Sequence, residues 1–569
     1  MTGIDIVRPW LDNYPPGVPA KLDENEVGTL LDIYDETMRR YGSRPALESF
    51  GVRMSYAELG ATAEKIAVAL QVAGLKKGDR VAIMMPNVMA YPPVIFGILL
   101  AGGVVVNVNP LYTPRELRHQ LNDSGAKMIF VLENFAHTLA ECLDDLPELK
   151  CGVLVSPGDL MGFKGHIVNF VSRHIKKAVK PFALRGSVRF RAFLAWAKDG
   201  KLQRPEVSRD DIAFLQYTGG TTGVSKGAIL LHRNIASNVM QCEAWLKPFL
   251  NDRTDHVMYT ALPLYHILAL TACNLFMFRL GAMQVLIANP RDIPAFIKTL
   301  QKTPPSILVL VNTLYNVLSH TDGFSSIDFS KLDMCISGGM ATQAAVAQRW
   351  KELTGKPIIE GYGLSETSPL VCVNRLDITD FTGTIGMPAP STDVSVRAPD
   401  GNLLPAGEPG ELCVRGPQVM AGYWQRPDET EKVMTPDGFF KTGDVAIMLP
   451  DGQFKIVDRM KDMIAVSGLK VFPNEVEDVL ASHPKVLEAA VIGIPDEHSG
   501  EAVAAYIVRK DMDVTVDEIR AYAREKLAAY KVPKSVEFRE TLPKTNVGKI
   551  LRRELRDEVV GKSANSQAA

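Results

Sequence analysis

The chain has 569 residues, which is too long for one hydrophobic core, so at least two domains are expected. Apolar residues make up 46% and charged residues 22%, which is ordinary for a globular protein of enzyme size. The formal net charge of −2 argues against a nucleic-acid-binding protein, which would carry a dominant basic excess.

Two further features indicate the compartment. The seven cysteines are scattered and form no C-x-x-C pair, which favours a reducing environment over a disulfide framework or a zinc site. The first ten residues, MTGIDIVRPW, lack the basic and then apolar pattern of a signal peptide. We therefore expect a cytoplasmic protein.

The first ambiguous segment lies between Arg80 and Arg115. It contains no charged residue and could be taken for a membrane span. Prolines, glycines and asparagines interrupt it repeatedly. The sequence therefore predicts a buried strand RVAIMMP, a helix over residues 94–101 and a second strand GVVVNVNP.

Residues 160–198 carry a local charge bias. They contain nine lysines or arginines, no aspartate or glutamate, and six interleaved aromatic residues. Basic and aromatic residues on short helices suit an anionic membrane, which predicts reversible contact with the inner membrane face. The alternative is a basic solvated face whose apolar side packs on the domain core.

Short apolar strands alternate with amphipathic helices through most of the chain, as in KMIFVLE, HVMYTALP, SILVLV and MCISGG. This pattern predicts α/β units with parallel sheets. Between about residues 383 and 455, short strands and glycine turns indicate a small β-rich subdomain. We therefore expect residues 1–460 to form a large α/β domain, and residues 461–569 a small mobile α+β domain that acts as a lid.

The segment YTGGTTGVSKGAIL, residues 217–230, combines four glycines and three threonines with one serine and one lysine. Glycines let backbone N–H groups approach a ligand closely, and hydroxyls and an ammonium suit phosphate oxygens. It is not a Walker A loop, because Gly227 follows Lys226 where that pattern requires Ser or Thr. The composition predicts a loop that binds a polyphosphate.

This loop resembles the signature of the adenylate-forming superfamily, which includes acyl-CoA synthetases, aryl-CoA ligases, beetle luciferases and adenylation domains of peptide synthetases. Further motifs of that family follow in its order: PLYHILAL (263–270), SGGM (337–340), EGYGLSETSP (360–369), GELCVRG (410–416), KTGD (441–444), VDRMKDMIAVSG (457–468) and PKTNVGKILRREL (543–555). The resemblance covers roughly residues 43–555. Three segments resemble most the bacterial-type long-chain fatty acid–CoA ligases. They are TGDVAIM (442–448), the hinge segment IVDRMKDMIAVSGLKVFPNEVEDVL (456–480) and the basic segment 160–198.

The resemblance implies a two-step ligation. A carboxylate is a poor electrophile, so a fatty acid first displaces pyrophosphate from ATP, and the thiol of coenzyme A then displaces AMP from the acyl-adenylate. The substrates and cofactors implied are a fatty acid, ATP, Mg²⁺ and coenzyme A. Cations and donors must offset the repulsion between the carboxylate and the α-phosphate. Monomer and homodimer are both left open.

The resemblance also assigns residues to the nucleotide. In the family the glycine-rich loop grips the β- and γ-phosphates, Glu366 holds Mg²⁺, and Ser365 offers its hydroxyl to the α-phosphate where most relatives carry Thr. The residues that would bind phosphates are Thr218, Gly219, Gly220, Thr221, Thr222, Gly223, Ser225 and Lys226. The residues that would surround adenine and ribose are Gly338, Gly339, Met340, Gly361, Tyr362, Gly363, Asp444 and Arg459, with Tyr362 stacking on the base.

Four more residues complete the expected site. The family uses the lysine equivalent to Lys549 on the acyl carboxylate and α-phosphate, and Lys461 falls at its hinge position. Gly468 would enter the site in a second lid orientation and leave room for the pantetheine arm. His266 lies between apolar residues, so it is either a core histidine or the family's wall between acyl tunnel and carboxylate.

Other functions share parts of this pattern. The same chemistry on medium-chain, aryl or aryl-alkanoic acids uses the same motifs. A luciferase-type oxidative enzyme is disfavoured because Gly468 and the hinge segment suit coenzyme A. A nucleotide-binding or carrier-loading module is disfavoured because all catalytic positions are filled.

Overall fold

The computed structural model describes residues 6–23, 26–218, 225–250, 255–496, 498–545 and 548–567. Its strands are, in chain order, β1 (Pro45–Ser49), β2 (Val52–Ser55), β3 (Arg80–Met84), β4 (Val104–Asn107), β5 (Ala126–Leu132), β6 (Cys151–Val155), β7 (Ser187–Arg189), β8 (Ile212–Thr218), β9 (Lys226–Leu231), β10 (Val257–Thr260), β11 (Met283–Leu286), β12 (Ile307–Leu310), β13 (Met334–Gly338), β14 (Ile358–Gly363), β15 (Leu370–Val373), β16 (Met387–Pro388), β17 (Asp393–Arg397), β18 (Gly410–Arg415), β19 (Phe440–Met448), β20 (Phe454–Arg459), β21 (Ile464–Val466), β22 (Leu469–Val471), β23 (Val486–Asp496), β24 (Gly500–Arg509) and β25 (Ser535–Arg539).

The α-helices are, in chain order, α1 (Leu30–Tyr41), α2 (Tyr56–Val72), α3 (Tyr91–Leu100), α4 (Pro114–Ser124), α5 (Ala136–Cys142), α6 (Gly162–Phe170), α7 (Phe190–Ala195), α8 (His232–Leu246), α9 (Phe276–Leu280), α10 (Ile293–Lys302), α11 (Asn312–Ser319), α12 (Ala344–Thr354), α13 (Pro427–Val433), α14 (Pro473–Ala481), α15 (Val516–Lys526) and α16 (Arg552–Gln567). Among the described residues, no helix has both the length and the apolar character needed to cross a membrane.

The first half of the chain builds a seven-stranded sheet in the order β7-β6-β5-β3-β4-β8-β9, parallel except for the final hairpin β8–β9. Strands β3 and β4 pair in parallel and α3 connects them, as the uncharged segment predicted. Every residue of α3 is buried, which explains why a helix inside a folded protein can lack charge altogether.

A nine-stranded sheet follows in the order β16-β15-β14-β13-β12-β10-β11-β1-β2. Its six central strands run parallel, and the antiparallel pairs lie at its edges. The SGGM motif begins in β13 and the EGYG motif lies in β14, so the carboxyl ends of two neighbouring parallel strands bring both motifs together. Ligands of open α/β sheets bind at that edge.

Two smaller sheets complete the molecule. Strands β17-β18-β19-β20 form an antiparallel sheet, and β22-β21-β24-β23 form another, in which β24 also pairs with β25 in parallel. Helices α14, α15 and α16 accompany the last sheet. The predicted fold class is confirmed: parallel α/β sheets, a β-rich subdomain and a small α+β domain at the C-terminal end.

The junction between the nine-stranded and four-stranded sheets lies at Gly386. Its carbonyl accepts from the N–H of Phe454 at 2.9 Å, and the N–H of Ile385 donates to the carbonyl of Phe454 at 2.8 Å. Gly386 has φ +77°, and a Cβ there would come within 2.1 Å of the backbone of Val373. Only glycine fits this close approach.

We expect Gly386→Ala to destabilise the protein more than Gly401→Ala. Both glycines have positive φ, but a Cβ at Gly401 has no atom within 4 Å. Gly401→Ala should therefore cost about 1–2 kcal/mol from its backbone conformation alone. Gly386→Ala should cost at least about 2 kcal/mol more, because the backbone of Val373 must move. Urea denaturation measures both, and equal losses would contradict the crowding at this junction.

Candidate active site

One cavity of about 1480 Å³ lies between the two large sheets, the four-stranded sheet and the C-terminal domain. It collects most of the residues that the sequence predicted. The described ones that line it are Thr218, Lys226, His266, Gly338, Gly339, Met340, Gly361, Tyr362, Gly363, Ser365, Glu366, Asp444, Arg459, Lys461 and Lys549. Gly219, Gly220, Thr221, Thr222 and Gly223 lie outside the described residues.

Asp444, Arg459 and Tyr362 form a hydrogen-bonded group at one end of the cavity. Asp444 pairs with Arg459 across β19 and β20, and the carboxylate Oδ1 lies 3.2 Å from the guanidinium Nε. The Tyr362 hydroxyl donates to Asp444 Oδ2 at 2.6 Å. Burial raises the pKa of Tyr362 well above its ordinary value, so the phenol stays a donor. The group can present a fixed carboxylate and a fixed cation to the two hydroxyls of a ribose.

Glu366 lies in a short turn directly after β14 and is 9% exposed. The Tyr423 hydroxyl donates to Glu366 Oε1 at 2.7 Å, and burial raises the pKa of this carboxyl group. Among the described residues, no three His, Cys, Asp or Glu side chains cluster as a metal site would require. A single carboxylate nevertheless fits Mg²⁺, which commonly takes one or two protein carboxylates together with phosphate oxygens and waters.

The two described ends of the glycine-rich loop lie opposite each other. Thr218 at the end of β8 pairs with Lys226 at the start of β9, and both residues line the cavity. The Lys226 ammonium forms an ion pair with Glu429 of α13 and lies 5.2 Å from the ring centre of Tyr423. Because the Lys226 side chain is one-third exposed, this pair is weak enough for a phosphate to compete with Glu429.

Lys549 enters the cavity from the C-terminal domain on a tight turn. The Thr545 N–H donates to the carbonyl of Lys549 at 2.7 Å, and the Lys549 N–H donates to Thr545 Oγ1 at 3.1 Å. The turn touches α11 of the large domain, where a Cβ on Gly548 would come within 2.5 Å of Thr313 Oγ1. Burial, reinforced by the positive charge of Arg459, lowers the pKa of Lys549 to about 8. The cavity therefore holds a desolvated ammonium that lacks a full counter-charge.

His266 lines the same cavity, near the start of a π-helix over Ala269–Leu275. Its Nδ1 accepts from the N–H of Leu268 at 3.3 Å. Burial, with a smaller effect of Lys549, lowers the pKa of His266 to about 4, so the imidazole is neutral at neutral pH. A neutral ring suits a positioning role better than an ionic one. The cavity is also lined by a set of largely apolar side chains, called here the apolar branch: Cys242, Trp245, Leu246, Phe276 and Met277.

Two predicted residues do not line the cavity in this orientation. Gly468 lies in the exposed two-residue turn between β21 and β22, with φ +80°, and a Cβ there would meet no atom within 4 Å. Ser225 lies just before β9, where its carbonyl is 3.2 Å from His119 Nε2.

Sequence analysis missed three residues that line the cavity, Glu360, Tyr423 and Arg552. It also missed Glu429, which pairs with the lining residue Lys226. Glu360 is buried, accepts from the Thr342 N–H at 3.1 Å, and has its pKa raised to about 8 by burial. Glu360 opens the EGYG motif and Arg552 lies inside the C-terminal motif PKTNVGKILRREL, so both belong to recognised segments. Tyr423 and Glu429 reach the site only through contacts across the fold.

Comparison with known proteins shows which family shares this arrangement. The family model described as AMP-binding enzyme matches residues 34–424, and the model described as AMP-binding enzyme C-terminal domain matches residues 475–549. A long-chain-fatty-acid–CoA ligase of Yersinia pestis is 51% identical over 553 residues, which cover 97% of this chain and 98% of that protein. A feruloyl-CoA synthase of an Amycolatopsis species is 35% identical and covers 90% of this chain and 95% of that protein.

A solved structure agrees with these relatives. The anthranilate CoA ligase AuaEII in complex with anthranoyl-AMP superimposes with a TM-score of 0.84 at 26% identity, covering 95% of this chain and all of that one. The architecture of this chain therefore matches that of a solved CoA ligase over nearly its whole length.

The electrostatics of the cavity predict an unusual lysine. Because its pKa is about 8, Lys549 should lose its charge as the pH rises through 8, well below the ordinary lysine value of about 10.4. Competitive labelling with a trace of an amine-acylating reagent over a pH series, read out by peptide mass spectrometry, measures this titration. A Lys549 profile that coincides with that of a solvated lysine in the same digest would contradict it.

Proposed function

Because the chain belongs to the AMP-binding enzyme family, we propose that it is an ATP-dependent long-chain fatty acid–CoA ligase. It forms an acyl-adenylate with release of pyrophosphate, and then acyl-CoA with release of AMP. The observation that carries the proposal is the convergence of the Asp444–Arg459 pair, Lys549 and an apolar branch in one cavity. Identity of about half over nearly the whole chain to a ligase named for long-chain acids supports the acyl class.

The nucleotide is bound by groups from three sheets. Asp444 accepts hydrogen bonds from both ribose hydroxyls, and Arg459 donates to them. Tyr362, on β14, borders the adenine. Gly338 ends β13, Gly339 and Met340 follow it, and the two glycines leave room for the base. Thr218 and Lys226 hold the β- and γ-phosphates, with Lys226 exchanging Glu429 for a phosphate oxygen.

The acid and the α-phosphate meet beside Lys549. The acyl chain occupies the apolar branch, and His266 marks the point where the carboxylate emerges from it. Both reacting groups are anionic, so the Lys549 ammonium lowers the barrier by stabilising charge that is concentrated in the transition state. The Ser365 hydroxyl donates to the α-phosphate, and Glu366 holds Mg²⁺, which neutralises phosphate charge when bound.

The C-terminal domain acts as a lid that begins at residue 461. With Lys549 in the cavity and Gly468 outside it, the structure's lid orientation suits adenylation. Rotation about Lys461 would withdraw the ammonium and bring Gly468 to the site. A glycine there leaves space for the pantetheine thiol of coenzyme A.

A second candidate keeps the same chemistry with another acid. The relation to a feruloyl-CoA synthase over 90% of the chain favours an aryl acid as that alternative. The two candidates differ only in what fills the apolar branch, so a panel of acids distinguishes them.

We further propose that α6 and the residues that follow it bind the inner membrane surface reversibly. Phe163, Ile167, Phe170 and Ile175 are 81%, 52%, 58% and 66% exposed. The exposed lysines beside this apolar ridge are Lys164, Lys176, Lys177 and Lys180. An exposed apolar ridge flanked by cations suits an anionic lipid surface.

The rest of the basic segment fits the other interpretation. Phe190 and Phe193 are buried in the core, and Arg173 and Arg189 both pair with the buried carboxylate of Glu133 at 2.8 and 2.6 Å. The part proposed for the membrane is therefore the ridge of Phe163, Ile167, Phe170 and Ile175, and not the whole of residues 160–198.

The proposed reaction is tested by separating its two halves. The protein is given ATP, Mg²⁺, coenzyme A and acids of increasing chain length, together with ferulic and benzoic acids, and the products are identified by mass spectrometry. We expect acyl-CoA, AMP and pyrophosphate with long-chain acids.

Lys549→Ala should slow acyl-adenylate formation by a factor of about 10²–10³, because one preorganised charged donor is lost. Supplied acyl-adenylate should still give acyl-CoA at nearly the normal rate.

Gly468→Trp provides the reciprocal control. Its side chain would obstruct the thiol in the second orientation, so acyl-adenylate should accumulate while acyl-CoA formation falls. In the panel of acids, products formed only from aryl acids would favour the second candidate. If no acid of the panel gave an acyl-adenylate, the ligase proposal would be wrong.

Flotation with vesicles tests the proposed membrane contact. Binding to vesicles of anionic lipids should fall steeply with salt, since each basic residue near the surface contributes about 1 kcal/mol. The double variant Phe163→Ser/Phe170→Ser should bind weakly, whereas Phe50→Ser, which removes another exposed aromatic side chain (61% exposed), should bind normally. Equal binding of both variants, or binding indifferent to salt, would contradict this surface.

A further inference from the structure

Asp458 is a completely buried carboxylate next to the ribose pair. It is the penultimate residue of β20, directly before Arg459, and 0% of it is exposed. Its Oδ2 accepts from the N–H of Asn474 at 2.8 Å, and its Oδ1 accepts from the neighbouring N–H of Arg459 at 2.7 Å and from Arg552 Nη1 at 3.4 Å. Besides the adjacent Arg459, Asp458 thus has two donors that are distant in sequence, Asn474 and Arg552.

The donors Asn474 and Arg552 both belong to the C-terminal domain. Asn474 is the second residue of α14, and Arg552 is the first residue of α16. Asp458 belongs to the four-stranded sheet, and the proposed hinge residue Lys461 lies between Asp458 and both donors. These hydrogen bonds therefore cross the hinge.

Other contacts of Arg552 stay on its own side of the hinge. Its Nε and Nη2 donate to the two carboxylate oxygens of Glu477 at 2.9 and 2.7 Å, and Nη2 also donates to Asn474 Oδ1 at 2.5 Å. Glu477 and Asn474 are both on α14, so this cluster moves with the lid as one unit. The cluster presents the guanidinium and one backbone N–H to Asp458 as a preassembled pair of donors.

Arg552 is also close in sequence to the lysine that enters the cavity. Only Ile550 and Leu551 separate it from Lys549, and the Leu551 N–H donates to the carbonyl of Pro543 at 2.8 Å. Fixing Arg552 against β20 therefore fixes the end of the turn that carries Lys549. A displacement of about 1 Å at a reacting group can cost a factor of about 10² in rate.

We infer that Asp458 is a positioning residue whose contacts with Asn474 and Arg552 hold the lid in the orientation that places Lys549 in the cavity. This inference rests on the proposed function. A rotation of the lid about Lys461 breaks both contacts to Asp458 and leaves the Arg552–Glu477 pair intact. Because a buried charge is costly without partners, these contacts favour the adenylating orientation over the other.

The test compares the two half-reactions in Asp458→Asn, which keeps the side-chain size and one acceptor but removes the charge. Acyl-adenylate formation should slow by a factor of about 10², mostly in kcat and with little change in the KM for ATP. Acyl-CoA formation from supplied acyl-adenylate should stay within about threefold of the normal rate or rise, because that step uses the orientation without these contacts.

A double-mutant cycle with Arg552→Gln separates positioning from general damage. The two substitutions should be strongly non-additive in adenylate formation and additive in acyl-CoA formation from supplied adenylate. Lys534→Gln, which breaks an exposed ion pair with Asp496 inside the lid, serves as the matched control and should leave both halves unchanged. If Asp458→Asn does not fold, Arg552→Gln alone tests the inference. It should slow acyl-adenylate formation and leave acyl-CoA formation from supplied acyl-adenylate nearly normal.

If the wild-type protein is active, equal loss in both half-reactions of Asp458→Asn, or no loss in acyl-adenylate formation, would overturn the inference. A wild-type protein that forms no adenylate would instead overturn the proposed function. The two failures are therefore distinguishable in the same set of measurements.

Discussion

Repulsion among cations in a desolvated cavity is the constraint on which the rest of the site depends. Arg459 and Lys461 repel the Lys549 ammonium there, and Asp444 acts in the opposite direction. Burial and Arg459 lower the pKa of Lys549 to about 8, so keeping its proton costs free energy until an anion arrives. A triphosphate and a carboxylate supply that anion. In the proposed reaction, a bound anion would therefore stabilise the charged form of Lys549.

Burial also keeps two other ionisable groups that line the cavity largely neutral. His266 has a pKa lowered to about 4, and Glu360 has one raised to about 8, both chiefly by burial. At neutral pH the imidazole adds no positive charge and the buried carboxyl group adds little negative charge. The charged side chains that act on Lys549 include Arg459 and Asp444, whose positions are fixed by strands β19 and β20.

Much of this arrangement could be predicted from sequence because it is local. The α/β class follows from buried strands such as β3 and β4, and the motifs at the ends of β13 and β14 lie where parallel strands place ligands. Contacts between distant segments could not be predicted. Tyr423 reaches Glu366 across 57 residues, and Lys226 reaches Glu429 across 203. The basic segment was ambiguous for the same reason, since its pairing with Glu133 is invisible in the local pattern.

The ribose end of the proposed nucleotide site is assembled from two sheets that meet at Gly386. Tyr362 belongs to the nine-stranded sheet, and Asp444 and Arg459 belong to the four-stranded sheet. A bound nucleotide would therefore contact both sheets, and its binding free energy would stabilise the junction between them. By linkage, a nucleotide at 100 times its Kd would stabilise the joined state by about 2.7 kcal/mol. Nucleotide supply would then govern how long the molecule survives heat or proteolysis, in addition to how fast it turns over.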